Sequence, residues 1–254
     1  MAGYSDTNGA NTRPLIMAHR GAKDVAPENT LAAFGAALES GADAIELDIT
    51  RCATGQIVVI HDDTVDRTTD GTGRVDALPY DALRRLDAGS WFDPGFSGER
   101  IPLLREVLDR FGHKLRLNIE IKGSSPRGDR LEQELADMLR RRDLVYTTII
   151  SSFNPMALWR MRRAAPEISR ALLYAGDMPL PFREAWARHW LSPDALHPHY
   201  AMVDADYVKW AHDNGYRLNV WTVNEIEDIE RMAGFGVDAI ITDHPRTALE
   251  LIER

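Results

Sequence analysis

Cysteine, basic residues and long apolar segments are scarce in this sequence. Cys52 is the only cysteine among 254 residues. A lone cysteine excludes an intramolecular disulfide and a metal centre built from cysteines, and it is typical of a reducing compartment. No segment reaches the roughly 18 consecutive apolar residues of a membrane-spanning helix, so stable membrane insertion is not expected. A cytoplasmic location follows as the default prediction.

Positive charge is also in deficit, since 39 Asp and Glu residues face 30 Lys and Arg residues and the formal net charge is -9. This balance argues against a nucleic-acid partner, which requires a basic surface, but it is compatible with a local basic pocket. The hydrophobic fraction of 44% and the charged fraction of 27% are those of an ordinary globular protein. Whether the chain forms a homo-oligomer stays open at this point.

The length of the chain suits one α/β barrel. Residues 1–13 have neither the basic start nor the apolar middle of a signal peptide, so we expect a disordered lead-in. Residues 14–254 are predicted to form a single domain, because strand-like and helix-like segments alternate along them. An irregular stretch at about residues 62–113 is predicted to be an insertion subdomain, which Trp91, Phe92 and Phe96 would pack onto the barrel.

Residues 44–62 form the stretch around which the chain is organised. Glu46 and Asp48 are two residues apart in a predicted strand, so their side chains project from the same face. The turn at Gly55 is too short for a parallel crossover, so residues 57–60 return antiparallel and bring His61 level with both carboxylates. Two carboxylates that face a histidine at one strand end predict a metal or acid–base site.

The strand candidates number nine with residues 57–60 and eight without them. Eight strands that alternate with helices predict a closed (β/α)₈ TIM barrel, with the insertion after the second strand and its hairpin. The hairpin strand is either an extra element at the barrel mouth or an irregular member of the barrel. The sequence does not decide between these two arrangements.

In such a barrel the working residues lie at the carboxyl ends of the strands, where distant parts of the sequence converge. The side chains predicted at this edge are His19, Arg20, Glu46, Asp48, His61, Glu120, Lys122, Ser152, Phe153, Trp221 and Asp243. Several carboxylates without a cysteine suit a hard cation such as Mg²⁺ or Ca²⁺. An arginine and a lysine beside that cation are what a phosphate ester requires.

Other charged and aromatic residues are predicted to lie outside the site. Arg67 and Arg74 are expected to be solvated, Glu28 is expected to support the His19-Arg20 loop from behind, and residues 182–190 are predicted to form an aromatic helix. The sequence indicates no carboxylate partner for the remaining histidines, which are predicted to be structural or at the surface: His113, His189, His197, His199, His212 and His244.

A series of motifs follows one another along the chain. They are HRG at 19–21, PENT at 27–30, ELD at 46–48, HDDTVDRTTDGTG from 61, GERIPLLREVL at 98–108, IEIKG at 119–123, SSFN at 151–154, VWTVN at 220–224 and ITDHP at 241–245. Together they make the chain resemble the glycerophosphodiester phosphodiesterases from about residue 18 to the C-terminus. The resemblance implies a barrel with a long insertion, a bound divalent cation, and hydrolysis of glycerophosphodiesters to sn-glycerol 3-phosphate and an alcohol.

The resemblance also implies a role for each matching residue. The metal ligands would be Glu46, Asp48 and Glu120, and the acid–base pair would be His19 and His61. The cation would be Mg²⁺ or Ca²⁺, with Mn²⁺ as a third choice. By analogy, the 2-hydroxyl of glycerol would attack first and give a cyclic phosphate that water then opens.

The substrate would be held by four further side chains. Arg20 and Lys122 would bind the phosphate oxygens, while Phe153 and Trp221 would form an apolar wall for the glycerol carbons. Two other functions compete with this one. A lysophospholipase D would require an apolar or basic docking surface, and a non-catalytic phosphate-ester binding protein would most readily have lost a histidine or a carboxylate.

Overall fold

The structure, a computed structural model, describes residues 13–123 and 130–253. Its strands are β1 (Leu15–His19), β2 (Ala44–Arg51), β3 (Ile57–Val59), β4 (Arg116–Ile121), β5 (Thr148–Ser152), β6 (Ser169–Tyr174), β7 (Ala195–Pro198), β8 (Arg217–Val220) and β9 (Ala239–Thr242). Its α-helices are α1 (Leu31–Glu39), α2 (Tyr80–Leu83), α3 (Leu104–Phe111), α4 (Leu131–Arg140), α5 (Pro155–Ala164), α6 (Leu180–Arg183), α7 (Arg188–Leu191), α8 (Ala205–Asp213), α9 (Ile226–Phe235) and α10 (Pro245–Ile252). None of these helices has the length and apolar character needed to cross a bilayer.

Eight parallel strands close into a barrel. Neighbouring strands follow the order β1-β9-β8-β7-β6-β5-β4-β2, and the pairing of β1 with β2 closes the ring. The predicted (β/α)₈ TIM barrel is therefore confirmed. β3 runs antiparallel to β2 and pairs with it beyond the point where β1 ends, at residues 49–51 rather than 44–46. The hairpin strand is thus an extra element at the barrel mouth.

Helix α3 illustrates how the helices attach to the barrel. Its four buried residues, Leu104, Val107, Leu108 and Phe111, recur at the spacing of one helix face. Phe111 packs edge to face against Phe34 of α1, with the ring centres 6.0 Å apart. Each fully buried side chain of this size contributes roughly 1.5–3 kcal/mol, so packing rather than helix propensity stabilises the helix.

The insertion is attached to the hairpin by aliphatic residues. Val58 and Ile60 of the hairpin segment share one buried cluster with Val65, Val75 and Leu83 of the insertion. Only α2 and short 3₁₀ turns interrupt the irregular backbone between β3 and α3. The apolar face that the hairpin presents is therefore covered by the insertion rather than by a barrel helix.

The three aromatic residues of the insertion do not form this attachment. Trp91 and Phe92 stack edge to face with ring centres 5.9 Å apart, and Phe92 and Phe96 do the same at 5.7 Å. Trp91 stays 39% exposed. The prediction that these aromatics pack the insertion onto the barrel is wrong, because the hairpin surface is already filled by branched aliphatic side chains.

One further sequence prediction requires correction, and another falls almost entirely outside the described residues. The aromatic helix predicted at residues 182–190 is divided into α6 and α7, because Ala185 between them adopts a positive φ of 49° that ends a right-handed helix. Of the lead-in predicted at residues 1–13, only Arg13 lies within the described residues, where it pairs with Asp43 at 2.7 Å.

Two of the histidines predicted to have no carboxylate partner do have one. His212 lies 2.8 Å from Asp238, and His244 lies 3.3 Å from Asp24. Both pairs cross between elements far apart in the sequence, so spacing along the chain did not indicate them. His197 is fully buried, and burial lowers its pKa to about 3, as expected of a structural histidine.

Gly21, directly after His19 and Arg20, supports the turn that ends β1. It has a φ of +87°, and a Cβ placed on it would lie 2.6 Å from the Cβ of Ala33 in α1. Gly55 has a similar φ of +91° with open space around it. Both conformations disfavour a side chain, but only Gly21 also faces a steric barrier.

We therefore expect Gly21→Ala to lower the free energy of unfolding by about 3 kcal/mol, since a strained φ and overpacking each cost about 1–2 kcal/mol or more. Gly55→Ala is the matched control, and it should cost only about 1 kcal/mol. Urea denaturation of both variants measures the difference. Equal losses for the two variants would contradict the steric explanation.

Candidate active site at the barrel mouth

Strand pairing places the predicted site residues side by side. The register between β1 and β2 sets His19 opposite Glu46, and the register between β2 and β4 sets Asp48 opposite Glu120. Ile60 donates its backbone N–H to the carbonyl of Asp48 at 3.0 Å, so the next residue, His61, lies level with the two carboxylates of β2. The hairpin return predicted from the sequence is therefore present.

The three carboxylates form a buried cluster. Oxygen atoms of Glu46, Asp48 and Glu120 all lie within 4.8 Å of one another. Lys122 Nζ lies 2.9 Å from Glu120 Oε1 and 3.6 Å from Asp48 Oδ1, and Arg20 Nε lies 3.4 Å from Asp48 Oδ2. Two cations thus face three carboxylates, so this cluster keeps an excess of negative charge when all three are ionised.

This excess changes the acidity of the cluster. Burial, followed by repulsion from Asp48, raises the pKa of Glu46 well above its ordinary value, and the same two causes raise the pKa of Glu120 to about 7. Lys122 and Arg20 oppose these shifts without cancelling them. The two neighbouring cations do not balance the charge of the three carboxylates. Three carboxylates with such an excess of negative charge are suited to bind a hard divalent cation.

Asn29 holds Asp48 in place from the loop before α1. Its side-chain amide donates to Asp48 Oδ2 at 2.9 Å, and its carbonyl oxygen accepts from the backbone N–H of Asp48 at 3.3 Å. Asn29 has a positive φ of 57°, a conformation that asparagine tolerates better than most residues. The neighbouring Thr30 caps α1 instead, accepting from Ala33 N–H at 3.2 Å.

His19 is oriented by a carboxylate from the last strand end. Its Nδ1 lies 2.6 Å from Asp243 Oδ1, while Asn224 donates to the other oxygen of Asp243 at 2.8 Å. Burial acts to raise the pKa of Asp243, but the hydrogen bond with His19 and the positive charge of Lys23 lower this pKa to about 2. An ionised Asp243 keeps the proton of neutral His19 on Nδ1, which leaves Nε2 able to accept a proton.

His61 has the same kind of support from its chain neighbour. Its Nδ1 lies 2.6 Å from Asp62 Oδ1, and Arg67 donates to both oxygens of Asp62 at 2.7 and 3.1 Å. Arg67 holds the pKa of Asp62 well below its ordinary value. Burial lowers the pKa of both His61 and His19, so both rings favour the neutral form.

Arg67 also connects Asp62, the partner of His61, with Glu28, the partner of Arg20. It donates to both oxygens of Glu28 at 2.8 and 2.9 Å, and Glu28 in turn accepts from Arg20 at 3.0 Å. The contact between Glu28 and Arg20 matches the predicted support of the His19-Arg20 loop. The prediction that Arg67 is only solvated is wrong, because it forms four such bonds despite a side chain that is 45% exposed.

One pocket of about 90 Å³ collects most of the predicted residues. Eight of them line it: His19, Arg20, Glu46, His61, Glu120, Lys122, Phe153 and Trp221. Asp48 lies behind this surface, 1% exposed. Phe153 and Trp221 meet edge to face at 5.4 Å between ring centres. These two rings form an apolar wall of the pocket, whereas other lining residues are charged.

Several residues in and around this pocket were not assigned a role from the sequence. Ser151 and Asn118 line it and share a hydrogen bond of 2.8 Å. Asp62 and Asp243, the partners of the histidines, lie within two of the recognised motifs, and Asp243 was expected at the strand edge without a role. Alternation along β4 places Asn118 on the face of Glu120, which was the one available signal for it.

The chain is similar in sequence to known proteins. Residues 19–247 match the model of the Glycerophosphoryl diester phosphodiesterase family. A glycerophosphodiester phosphodiesterase of Caldanaerobacter subterraneus subsp. tengcongensis is 41% identical over 243 residues, which cover 95% of this chain and 99% of that protein. A second relative, of Bacillus subtilis, is 38% identical over 230 residues and carries the name putative glycerophosphodiester phosphodiesterase.

Solved structures agree with these relatives. A phosphodiesterase from Oleispira antarctica, solved in complex with the product sn-glycerol-3-phosphate, has a TM-score of 0.82 at 32% identity, with 95% of this chain and 98% of that chain covered. A glycerophosphodiester phosphodiesterase from Agrobacterium tumefaciens has a TM-score of 0.81 at 30% identity, with 93% and 99% covered. The chain belongs to the glycerophosphoryl diester phosphodiesterase family.

Proposed function

We propose that this chain hydrolyses glycerophosphodiesters to sn-glycerol 3-phosphate and an alcohol. The observation that carries the proposal is the buried trio of Glu46, Asp48 and Glu120, flanked by two histidines that each have an aspartate on Nδ1. The product bound in the structure of the Oleispira antarctica relative supports the same substrate class. A non-catalytic binding protein is disfavoured, because the pocket retains both histidines and the carboxylates.

Glu46, Asp48 and Glu120 would hold a divalent cation, Mg²⁺ or Ca²⁺ with Mn²⁺ as a third choice. When bound, the cation would supply positive charge beside the phosphoryl oxygens. Arg20 and Lys122 line the same pocket and would hold phosphate oxygens, Arg20 through a planar fork and Lys122 as a point charge. Charge that develops on the phosphoryl group would thus be neutralised from two sides.

The two histidines would move the protons. One would accept the proton of the glycerol 2-hydroxyl as its oxygen bonds to phosphorus, and the other would donate a proton to the departing alkoxide as its bond to phosphorus breaks. The lowered pKa of both rings suits the accepting role, and the negative phosphate would favour protonation of the ring that donates. Water would then open the cyclic phosphate, and each ring would return to its first state.

Other sequence predictions stay predictions. Phe153 and Trp221 as the wall for the glycerol carbons belong to this proposal, as their edge-to-face contact inside the pocket supports. We also retain a single domain at residues 14–254 with an insertion at about 62–113 and a cytoplasmic location as expectations, while the formation of a homo-oligomer stays open.

Loss of one histidine tests the acid–base pair. We expect His19→Ala to lower the rate of glycerol 3-phosphate release by about 10²–10⁴, the usual contribution of a general acid or base, and we expect a chelator to abolish release from the parent protein. The substrates are the choline, ethanolamine, inositol and glycerol diesters of glycerol 3-phosphate. The glycerol 3-phosphate that is released is measured with an enzymatic assay.

The matched control is His113→Ala, which changes an exposed histidine after α3 and should retain the parent rate. Release by His19→Ala at the parent rate would contradict the role of His19. Release that a chelator leaves unchanged would contradict the cation.

A single-turnover experiment tests the attack by the 2-hydroxyl. With enzyme in excess over glycerophosphocholine, a cyclic glycerol phosphate should rise and decay before glycerol 3-phosphate reaches its final level, as followed by rapid quench and mass spectrometry. A substrate with a 2-deoxy glycerol should release no choline, because it lacks the attacking oxygen. Hydrolysis of that analogue at the parent rate would favour direct attack by water.

The pH dependence of stability tests the crowding of the carboxylates. In the presence of a chelator, Glu120 binds its proton more tightly in the folded state, since its pKa is about 7 there and 4.5 ordinarily. Folded protein therefore holds more protons than unfolded protein between these values, and stability falls as pH rises through the window. Glu46 acts in the same direction.

The measurement is urea denaturation of the parent and of Glu120→Gln from pH 4.5 to 7.5. The difference between the two proteins should shift in favour of the variant as pH rises, and Mg²⁺ or Ca²⁺ should reverse that shift for the parent. Taking the difference removes the opposite contributions of His19 and His61, whose pKa values are lowered. A difference that does not change with pH would argue against the crowding.

A further inference from the structure

Arg67 binds two carboxylates that support different parts of the site. Its guanidinium donates to both oxygens of Asp62, at 2.7 and 3.1 Å, and to both oxygens of Glu28, at 2.8 and 2.9 Å. Asp62 is the partner of His61, and Glu28 is the partner of Arg20. A rigid, planar fork of donors that binds carboxylates in this way is a property of arginine that lysine lacks. The proposed hydrolysis of glycerophosphodiesters gives Arg67 no role.

The backbone around Arg67 is held in place by its neighbours. Val65, Thr68 and Thr69 are buried, and Thr69 Oγ1 donates to the carbonyl oxygen of Val65 at 2.8 Å. Exposed ion pairs usually contribute little, because two long side chains must be ordered to form them. Here the backbone that carries the arginine is already fixed, and the side chain of Glu28 is only 8% exposed. These pairs therefore differ from an ordinary ion pair at the surface.

On the hairpin side, Arg67 fixes the carboxylate that orients His61. Nδ1 of His61 and Nη2 of Arg67 share one oxygen of Asp62, at 2.6 and 3.1 Å, while Nε of Arg67 binds the other oxygen at 2.7 Å. The side chain of Asp62 is 28% exposed, so without Arg67 it could turn towards water. The orientation of the His61 ring therefore depends on Arg67.

On the barrel side, Arg67 limits how strongly Glu28 binds Arg20. Arg67 occupies both oxygens of Glu28, whereas Arg20 binds only Oε1, through Nη1 at 3.0 Å. The buried Nε of Arg20 has no hydrogen-bond partner among the described residues. Without Arg67, both oxygens of Glu28 would be open to a bidentate pair with Arg20, the strongest arrangement of these two groups. Arg20 would then have fewer donors left for a phosphate.

We propose that Arg67 is a positioning residue with two effects on the reaction. It holds Asp62 against His61, and it prevents Glu28 from drawing Arg20 away from the phosphate. The inference rests on the proposed function, which gives His61 a proton-transfer role and Arg20 a phosphate-binding role. Arg67 itself is not among the residues that line the catalytic pocket, so it acts only through its two carboxylate partners.

Replacement of Arg67 should change both kinetic constants for glycerophosphocholine. In Arg67→Ala, kcat should fall by about 10–100-fold, since a misplacement of about 1 Å at a reacting group can cost about 100-fold. KM should rise about tenfold, the effect of one hydrogen bond to a charged group. Arg67→Lys should show most of both losses, because a point charge cannot replace the planar fork.

Arg74→Ala is the matched control. Arg74 lies in the same insertion and binds both oxygens of Asp76 at 2.7 and 2.9 Å, with a side chain that is 57% exposed. It has no partner that contacts a histidine or Arg20 among its described ion pairs. Both kinetic constants should keep their parent values in this variant.

A second substitution separates the two effects of Arg67. Glu28→Gln removes the charge that competes for Arg20, so Glu28→Gln combined with Arg67→Ala should bring KM back close to the parent value. The kcat of this double variant should stay low, because Asp62 still lacks its partner. The dissociation constant of glycerol 3-phosphate, measured by isothermal titration, should change in the same order as KM. A loss of folded protein would lower kcat alone and would leave KM and this dissociation constant unchanged.

Proton NMR tests the hairpin side without any turnover. A proton held between Nδ1 of His61 and Asp62 should give a downfield resonance in the parent protein, assigned by its loss in His61→Ala. Arg67→Ala should broaden or remove this resonance, because a released Asp62 lets the proton exchange with water. The corresponding proton between His19 and Asp243 is the internal control, and its resonance should not change.

The outcomes separate this inference from the proposed function. Parent values of kcat and KM in Arg67→Ala or in Arg67→Lys overturn the inference. A KM that stays high in the double variant overturns the effect through Glu28, and an unchanged His61 resonance in Arg67→Ala overturns the effect through Asp62. If the parent protein hydrolyses no diester, the proposed function fails. The His61 resonance and the binding of glycerol 3-phosphate then still support or overturn the positioning role of Arg67.

Discussion

Repulsion among three buried carboxylates is the constraint on which the rest of the site depends. Backbone pairing holds Glu46, Asp48 and Glu120 close together, since Asp48 stands opposite Glu120 on the adjacent strand and Glu46 lies two residues before Asp48 on the same face. Burying an unbalanced charge is among the most expensive arrangements in a protein. Arg20 and Lys122 lie beside the carboxylates and offset part of their negative charge. The negative charge that remains favours the binding of a cation.

The two histidines reach this cluster by different routes but receive the same support. One ends the first barrel strand and is held by a carboxylate from the last, so closure of the barrel brings the pair together. The other is delivered by the hairpin and is held by its neighbour Asp62, which Arg67 fixes in turn. Orientation of both rings therefore depends on ionised aspartates, and the chain of ion pairs through Glu28 couples the hairpin side of the pocket to the barrel side.

Much of the fold and the site could be predicted because it follows from local rules. Alternation of strands and helices indicated the barrel, and the short turn at Gly55 indicated the hairpin. Residues whose roles depend on loop geometry were missed. Asn29, whose backbone takes a positive φ, binds Asp48 from a loop, and Arg67 meets Glu28 across 39 residues of sequence. Spacing along the chain contains no information about either contact.

The two ends of the insertion meet on the hairpin. Val58 bridges to Leu103, and the N–H of Val59 donates to the carbonyl of Pro102 at 2.9 Å. The chain thus leaves and re-enters the barrel at nearly one point, and the entropy of closing such a loop rises only slowly with its length. Segments of the insertion that follow Arg67 can therefore be lengthened, shortened or exchanged without altering the spacing of the barrel strands or the support of His61 by Asp62 and Arg67. Evolution can remodel the rim of the pocket while its charged floor stays unchanged.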